Sequence, residues 1–387
     1  MKRCYNSKKA EFEVIFMKLL RVKSRGFKNC ADDFCIDMLA KSKKTSEDKE
    51  YELNEIDEGL YTYSTVGIVG QNASGKTSAL ELLDWCYDIL STFRLSGKEY
   101  NYAGVNLEII FYEEGYIYKY LTELDNAMTL EDNAIFKTQK IYQKKYYKTK
   151  LKEIYSEDSW QLADLPEDVP EDVSSVFWVL KKNEIREVFY GDYFHRSDSY
   201  NATLKLMKIT KMDERIIEKV FRIFDENVEG LEQVDTNNFV LTYMGKRLSL
   251  SDKELFRFLS SGTTKGFNLY ILAIMSLQMG FDLVVDEIEN HFHKTLVENL
   301  ILLYKDKNVN KKNATLIFST HYCELLDLFN RSDNIWITHS RGKVEIKNMY
   351  ENYELRTELL KSKKFYQNAF DTAVNYEALM DLKKELM

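Results

Sequence analysis

An eight-residue string, Gly-Gln-Asn-Ala-Ser-Gly-Lys-Thr at positions 70–77, restricts the fold more than any other feature of this chain. It fits the pattern G-x-x-x-x-G-K-[ST], which forms a phosphate-binding loop where a strand leads into it and a helix leads out of it. Residues 63–69 are apolar and β-rich, and residues 78–90 place Leu80, Leu83, Tyr87 and Leu90 at helical spacing. The sequence therefore predicts a strand, a phosphate loop and a helix in succession.

The residue types of this loop suit a nucleotide and a divalent cation. Glycines let the backbone approach the phosphates, and the N–H groups at the helix N-terminus supply positive potential. Lys76 is expected to neutralise the β- and γ-phosphate oxygens, and Thr77 to offer its hydroxyl to Mg²⁺. The predicted nucleotide-binding residues of the loop are Gly70, Gln71, Asn72, Ala73, Ser74, Gly75, Lys76, Thr77 and Ser78. The alternative is a turn rich in glycine and serine that contains Lys-Thr by chance.

A second apolar run, residues 281–285, ends in two acids, Asp286 and Glu287. In a protein with a phosphate loop this is where a carboxylate holds Mg²⁺ through its water shell, which is the role predicted for Asp286. Glu287 is then the predicted general base that orients and deprotonates the attacking water. Buried strands that end in acids are also common in other folds, so this prediction depends on the phosphate loop upstream.

Four strings in the order GQNASGKT, LSSGT, VVDEIENHFH and IFSTH resemble the ATP-binding-cassette (ABC) ATPases, in particular the SMC/RecF-like and OLD-like branch of the "AAA family" ATPases. The similarity spans roughly residues 17–340, and its specific content lies in these four blocks. The resemblance implies ATP and Mg²⁺ as cofactors. It also implies an α/β fold of the P-loop NTPase type, with a mixed sheet core, an antiparallel β subdomain and a helical lobe that carries the signature motif.

The same resemblance implies roles for two further segments. Ser260, Ser261 and Gly262 match the signature, which opens a helix and faces the γ-phosphate of ATP held by a second copy, so a head-to-tail dimer around two ATP molecules is expected. His321 matches the switch histidine that senses the γ-phosphate, and it joins Glu287 and Lys76 as a predicted catalytic residue. Without the resemblance, the first segment is a capped helix start and His321 is a polar loop residue.

Some positions depart from the family pattern. Ser261 and Thr263 stand where transporters usually carry Gly and Gln, Lys294 replaces a frequent proline, and the glutamine that links the lobes of many cassette proteins has no recognisable equivalent. His291 and His293 could suggest a metal, but their i, i+2 spacing puts them on different faces of a helix. By resemblance, they belong to an interface loop near the partner's nucleotide.

Five segments are predicted along the chain. An N-terminal extension (1–16) precedes a nucleotide-binding lobe with the antiparallel β subdomain (17–150), a helical lobe that ends in the signature (151–265), a return to the ATPase core (266–345) and a helical tail (346–387). Residues 41–58 form a charged loop without apolar periodicity. Residues 107–124 predict a hairpin, residues 134–148 further strand, residues 202–228 helix and residues 239–249 a short pair of strands.

Composition limits the classes of function. Hydrophobic residues make up 44% and charged residues 30% of the 387-residue chain, as in ordinary globular proteins, and 54 Lys and Arg against 62 Asp and Glu give a net charge of −8. General attraction to nucleic acid or to an anionic membrane is therefore not expected, although a local basic groove is compatible with this balance. Five scattered cysteines without C-x-x-C spacing, and no signal peptide or membrane span, favour a reduced, cytoplasmic setting.

The predicted function is an ATP-driven switch or scaffold that controls a separately encoded nuclease or toxin effector in anti-phage defence, with the defence role implied by resemblance alone. A RecF-like ATPase that acts directly on DNA in repair or recombination is the alternative. A transporter subunit fits less well, because Ile288, Glu289 and Asn290 follow Glu287 in place of Pro and Thr or Ser. A fused OLD-type nuclease is disfavoured because only 66 residues of this sequence follow His321.

A run of lysines and tyrosines is the candidate surface for nucleic acid. Tyr142, Tyr146 and Tyr147 interleave with the lysines, as they would where a protein tracks a phosphate backbone and stacks bases. The alternative is a solvated hairpin face. The lysines are Lys137, Lys140, Lys144, Lys145, Lys148, Lys150 and Lys152.

Overall fold

The computed structural model describes residues 17–97, 100–127, 133–166, 168–181, 184–191, 203, 207, 212–235, 237–290, 293–353, 360–370 and 376–386. The strands are β1 Lys18–Arg25, β2 Phe34–Asp37, β3 Leu53–Asp57, β4 Leu60–Tyr63, β5 Thr65–Gly70, β6 Asn106–Glu113, β7 Tyr116–Asn126, β8 Ala134–Lys145, β9 Gln161–Leu162, β10 Glu187–Tyr190, β11 Val228–Gln233, β12 Asn238–Tyr243, β13 Lys246–Ser251, β14 Asp282–Val285, β15 Leu316–Thr320, β16 Ile335–Arg341 and β17 Lys343–Asn348. The α-helices are α1 Lys76–Ser91, α2 Phe177–Leu180, α3 Glu214–Phe224, α4 Asp252–Phe258, α5 Ser261–Met279, α6 Lys294–Lys305, α7 Met349–Asn352, α8 Lys361–Tyr366 and α9 Tyr376–Glu385.

A six-stranded sheet in the order β10-β14-β15-β5-β16-β17 forms the centre of the fold. Its first five strands are parallel, and β17 is antiparallel to β16. Parallel strands end at the same edge, so the loops that follow β5, β14 and β15 meet there. This topology brings Lys76, Asp286 and His321 to one edge of the sheet.

The helix after the phosphate loop packs as its sequence predicts. Leu80, Leu83, Tyr87 and Leu90 of α1 are all buried, and so is Trp85, which contacts Phe27 edge to face at 4.8 Å between ring centroids. Burial of these apolar side chains fixes the first turn of α1, and with it the phosphate loop, against the sheet.

A second sheet, in the order β2-β1-β6-β7-β8-β9, is antiparallel throughout. The hairpin predicted for residues 107–124 is confirmed as β6 and β7, and the strand predicted after residue 134 as β8. The strands predicted within residues 239–249 are confirmed as β12 and β13, and β12 also pairs with β11 to complete a third sheet. The fold is thus α/β with a mixed core sheet and an antiparallel β subdomain, as expected.

The prediction that residues 41–58 form a charged loop is wrong for residues 48–57, which form regular structure. Residues 48–52 form a π-helical turn, and β3 pairs with β4. Asp48 is held by Arg331 at 2.9 Å, and Glu52, which is fully buried, is held by Lys305 at 2.5 Å. Local periodicity could not reveal this because both basic partners lie more than 250 positions away in the chain.

The region between the antiparallel subdomain and the signature contains more strand than the expected helical lobe. It supplies β10 to the central sheet and the β11-β12-β13 sheet as well as α3 and α4, so the lobe is mixed. The five-segment division stays a prediction, and its first segment, residues 1–16, lies outside the described residues.

None of the helices in the described ranges has the length and apolar character needed to cross a bilayer.

Candidate functional site

Two glycines give the phosphate loop its shape. A Cβ on Gly70 would lie 2.4 Å from the hydroxyls of both Ser74 and Thr338, and one on Gly75 would lie 2.2 Å from Val344. Gly75 also has φ +97, in the left-handed region that favours glycine. The packed loop therefore tolerates no side chain at either position, which explains the two glycines of the pattern.

The Lys76 ammonium lies inside the curve of the loop. Its Nζ donates to the carbonyl oxygens of Gly70 at 3.1 Å and Gln71 at 3.0 Å, and it lies 3.4 Å from Nδ1 of His321. Burial lowers the pKa of Lys76, and the nearby carboxylates of Asp286, Glu287 and Glu289 oppose that shift. A buried cation held by neutral acceptors is placed to exchange them for phosphate oxygens.

Thr77 and Asp286 meet although 209 positions separate them. The Thr77 hydroxyl donates to Oδ2 of Asp286 at 2.8 Å, and the Ser319 hydroxyl donates to Oδ1 at 2.5 Å. A hydroxyl and a carboxylate are the hard oxygen donors that suit Mg²⁺, which commonly takes one or two protein ligands and fills the rest of its shell with water and phosphate. The residues present therefore fit the predicted magnesium site.

Glu287 stands at the mouth of the site. Its side chain is 41% exposed, its φ is +48, and its Oε1 lies 3.5 Å from Nε2 of His321. Its N–H donates to the Ser319 hydroxyl at 2.7 Å. The acid is thus open to solvent and held at its backbone, which suits a group that must contact a water molecule.

These residues line a cleft of about 820 Å³. The lining residues are Lys28, Asn72, Ala73, Ser74, Gly75, Lys76, Thr77, Ser78, Glu81, Tyr100, Glu287, His321 and Val344. The structure thus brings the phosphate loop, the predicted base and the predicted switch histidine together, with Asp286 bound to Thr77 beneath them.

The signature segment does not take part in this cleft; none of the described lining residues belongs to it. Ser260 caps the N-terminus of α5, where its hydroxyl accepts the N–H of Thr263 at 3.0 Å. Ser260 and Ser261 are exposed and Gly262 is half-buried. The start of α5 is therefore presented to solvent.

Sequence reasoning missed several residues that support the site. Ser319 joins Asp286 to Glu287, and its place inside the IFSTH string was a signal that could have identified it. Tyr190, at the end of β10, accepts the N–H of Asp286 at 2.9 Å through its carbonyl and donates its hydroxyl to the Lys265 carbonyl of α5 at 3.2 Å. No local pattern marks Tyr190, because its role depends on the pairing of β10 with β14.

Of the two histidines considered for a metal, the structure describes only His293. His293 caps α6, with its Nδ1 accepting the N–H of Thr295 at 3.3 Å, and His291 lies outside the described residues. Across the part of the chain that the structure describes, no group of three or more metal-ligating side chains was found.

The lysine run lies on β8 and the turn after it, and several of its members already have partners. Lys137 pairs with Asp125 at 3.1 Å, Lys148 pairs with Glu58 at 2.7 Å, and Lys144 donates to backbone carbonyls. The positive charge that this surface could offer to a phosphate backbone is correspondingly reduced.

Comparison with known proteins agrees with the site. A family model described as "AAA domain, putative AbiEii toxin, Type IV TA system" matches residues 66–327, a span that runs from the strand before the phosphate loop to beyond His321. A search of curated proteins returned no match.

Two solved structures of SMC heads are similar to the chain. The SMC head domain from Thermotoga maritima matches at 14% identity and a TM-score of 0.38, over 86% of this chain and 98% of that one. A structure described as the SmcHead bound to the C-winged helix domain of ScpA matches at 11% identity and a TM-score of 0.43, over 85% of this chain and 96% of that one.

Proposed function

We propose that this chain, which belongs to the AAA-domain family whose model matches it, is an ATPase that binds ATP with Mg²⁺ and hydrolyses it. The observation that carries the proposal is the convergence of Lys76, Glu287 and His321 on one cleft, with Asp286 hydrogen-bonded to the lining residue Thr77. Lys76 and His321 lie 245 positions apart, yet their side-chain nitrogens are 3.4 Å from each other.

Each group has a distinct part in this proposal. Lys76 and the N–H groups of the loop neutralise the β- and γ-phosphates, and Mg²⁺ bound by Thr77 and Asp286 adds charge neutralisation there. Glu287 orients a water molecule and takes its proton. His321 lies between Lys76 and Glu287. When ATP is bound, its ring would contact a γ-phosphate oxygen instead of these two side chains.

We further infer that two chains pair head to tail, each placing its signature on the other's ATP. The exposed start of α5 supports this proposal, because Ser260 and Ser261 are open to solvent and do not line the chain's own cleft, and a helix N-terminus attracts anions. Higher assemblies beyond the pair are compatible with the same contact.

In a cell, the pair would act as a switch or scaffold for a separately encoded effector, a nuclease or a toxin. The toxin–antitoxin setting named in the family description supports this proposal. Anti-phage defence is the biological context that fits it. The competing proposal, a RecF-like ATPase that acts directly on DNA, gains less support, because part of the candidate basic surface is already neutralised by its own acids.

The proposal is tested by measuring ATP binding and phosphate release separately. We expect Lys76→Ala to lose ATP binding by about 100-fold or more, since a charged phosphate contact is removed. Glu287→Gln should bind ATP normally and release phosphate at least about 100-fold more slowly. Lys246→Ala, at an exposed position on β13, is the matched control. A wild-type chain that binds ATP but never releases phosphate would contradict the proposal.

A further inference from the structure

Asn290 is bound twice to Glu287. Its side-chain Nδ2 donates to Oε2 of Glu287 at 2.5 Å, and its backbone N–H donates to the Glu287 carbonyl at 2.8 Å. The turn from Glu287 to Asn290 is thus held by one backbone hydrogen bond and one side-chain hydrogen bond. One carboxylate oxygen of Glu287 is therefore fixed by Asn290, and the other faces His321.

The conformation of Glu287 makes this support necessary. A φ of +48 is uncommon for a residue with a Cβ, and it persists only where surrounding contacts hold it. The side chain is also 41% exposed, so packing alone does not select its rotamer. A hydrogen bond between the backbone N–H and Ser319, and another from Asn290 to the carboxylate, supply the restraint.

Glu289, next to Asn290, holds the backbone of His321. It is buried, with 8% exposure, and its Oε1 accepts the backbone N–H of His321 at 2.5 Å. Its Oε2 is buried and has no hydrogen-bond partner among the described residues. A buried carboxylate with one orphan oxygen is costly, and its hydrogen bond from the His321 N–H and its attraction to the Lys76 ammonium offset that cost.

We propose that Glu289 and Asn290 are positioning residues for hydrolysis: Asn290 orients the Glu287 carboxylate toward the attacking water, and Glu289 fixes the backbone from which His321 reaches the γ-phosphate. This inference rests on the proposed ATPase function. When His321 turns to the γ-phosphate, Glu287 loses one of its two neighbours, and Asn290 is the contact that keeps the base aligned. A misplaced base loses rate without loss of substrate affinity.

The test compares substitutions at Asn290 at constant pH. Asn290→Ala should lower kcat at least about tenfold while the dissociation constant for a fluorescent ATP analogue stays within about twofold. Asn290→Asp has the same size but replaces the amide donor by a carboxylate, and it should lose at least as much. Asn290→Gln keeps an amide and should recover part of the rate. Asn299→Ala, on α6, where the asparagine amide is exposed and donates to the Thr295 carbonyl, is the control.

A double-mutant cycle separates positioning from a general structural effect. In a Glu287→Gln background, adding Asn290→Ala should cost less than about twofold, because the group that Asn290 orients is already altered. Equal losses in both backgrounds would overturn the inference, as would an Asn290→Ala chain with wild-type kcat. At Glu289, the Glu289→Gln variant keeps an acceptor for the His321 N–H and should retain more activity than Glu289→Ala. A wild-type chain without ATPase activity would instead overturn the proposed function, and this inference with it.

Discussion

The Thr77 hydroxyl donates directly to Oδ2 of Asp286 at 2.8 Å, so the two residues proposed to hold Mg²⁺ contact each other across 209 positions of sequence. This contact joins the first turn of α1 to the end of β14. Mg²⁺ held here would take the Thr77 hydroxyl as a ligand, and the Asp286 carboxylate would hold the ion through its water shell.

We expect Thr77→Ser to keep the Mg²⁺-dependent ATPase activity because it keeps the hydroxyl. Thr77→Ala removes that ligand and should lower activity about tenfold or more, with the Mg²⁺ concentration needed for half-maximal activity shifted upward. Phosphate release measured over a Mg²⁺ titration checks both expectations. If Thr77→Ala behaves like the wild type at all Mg²⁺ concentrations, Thr77 does not bind the cation.

The proposed dimer predicts a specific effect at Ser261, an exposed residue at the first position of α5. Glu287→Gln with ATP and Mg²⁺ should accumulate a dimer, measurable by size-exclusion chromatography with light scattering. Adding Ser261→Arg should abolish that dimer, because a bulky side chain at the contact prevents close approach of the two chains. ATP binding to the monomer and the melting temperature should change little.

The control for this experiment is Lys253→Ala in the same Glu287→Gln background, since Lys253 is also exposed and lies on the neighbouring helix α4. A dimer that persists in the Ser261→Arg variant would show that the chains pair through another surface.

Glu113, on β6, predicts a pH effect on stability. Burial raises its pKa to about 7 from 4.5, with Arg186 opposing the shift, and its Oε2 has no hydrogen-bond partner among the described residues. Because the folded state holds the proton more tightly than the unfolded state, stability falls as pH rises from about 4.5 to 7.

Glu113→Gln should therefore raise the free energy of unfolding at pH 8 by on the order of 1–3 kcal/mol and change it little at about pH 4.5. Urea unfolding of variant and wild type at the two pH values gives the difference. The control is Glu226→Gln at an exposed position in the turn before β11, which should have no comparable effect. A Glu113→Gln variant that is less stable than the wild type at pH 8 would contradict the assignment.

Because several lysines of the run already have partners within the chain, we predict little binding of nucleic acid to this surface at physiological salt. Four of its lysines, Lys140, Lys145, Lys150 and Lys152, are available for charge reversal without disturbing the paired ones. We expect the wild type and the fourfold Glu variant to bind short DNA and RNA equally weakly in a salt titration. Tight, salt-dependent binding that the fourfold variant loses would favour the DNA-acting alternative.

Local sequence determined the parts of this protein that depend on short-range patterns. The spacing around Lys76 predicted a strand, a loop and a helix, and the structure contains β5, the loop and α1 in that order. The alternating runs after residue 106 predicted β6, β7 and β8 in the same way. Patterns of this kind work because the backbone conformation and the buried face are decided within a few residues.

Tertiary structure alone decided which distant groups meet. The order of strands β14, β15 and β5 set His321 beside Lys76 and Thr77 beside Asp286, and the pairing of Asp48 and Glu52 with Arg331 and Lys305 ordered a segment whose sequence predicted a loop. Hydrogen bonds and ion pairs between residues hundreds of positions apart leave no periodic pattern in the sequence around either residue, so only the folded chain reveals them.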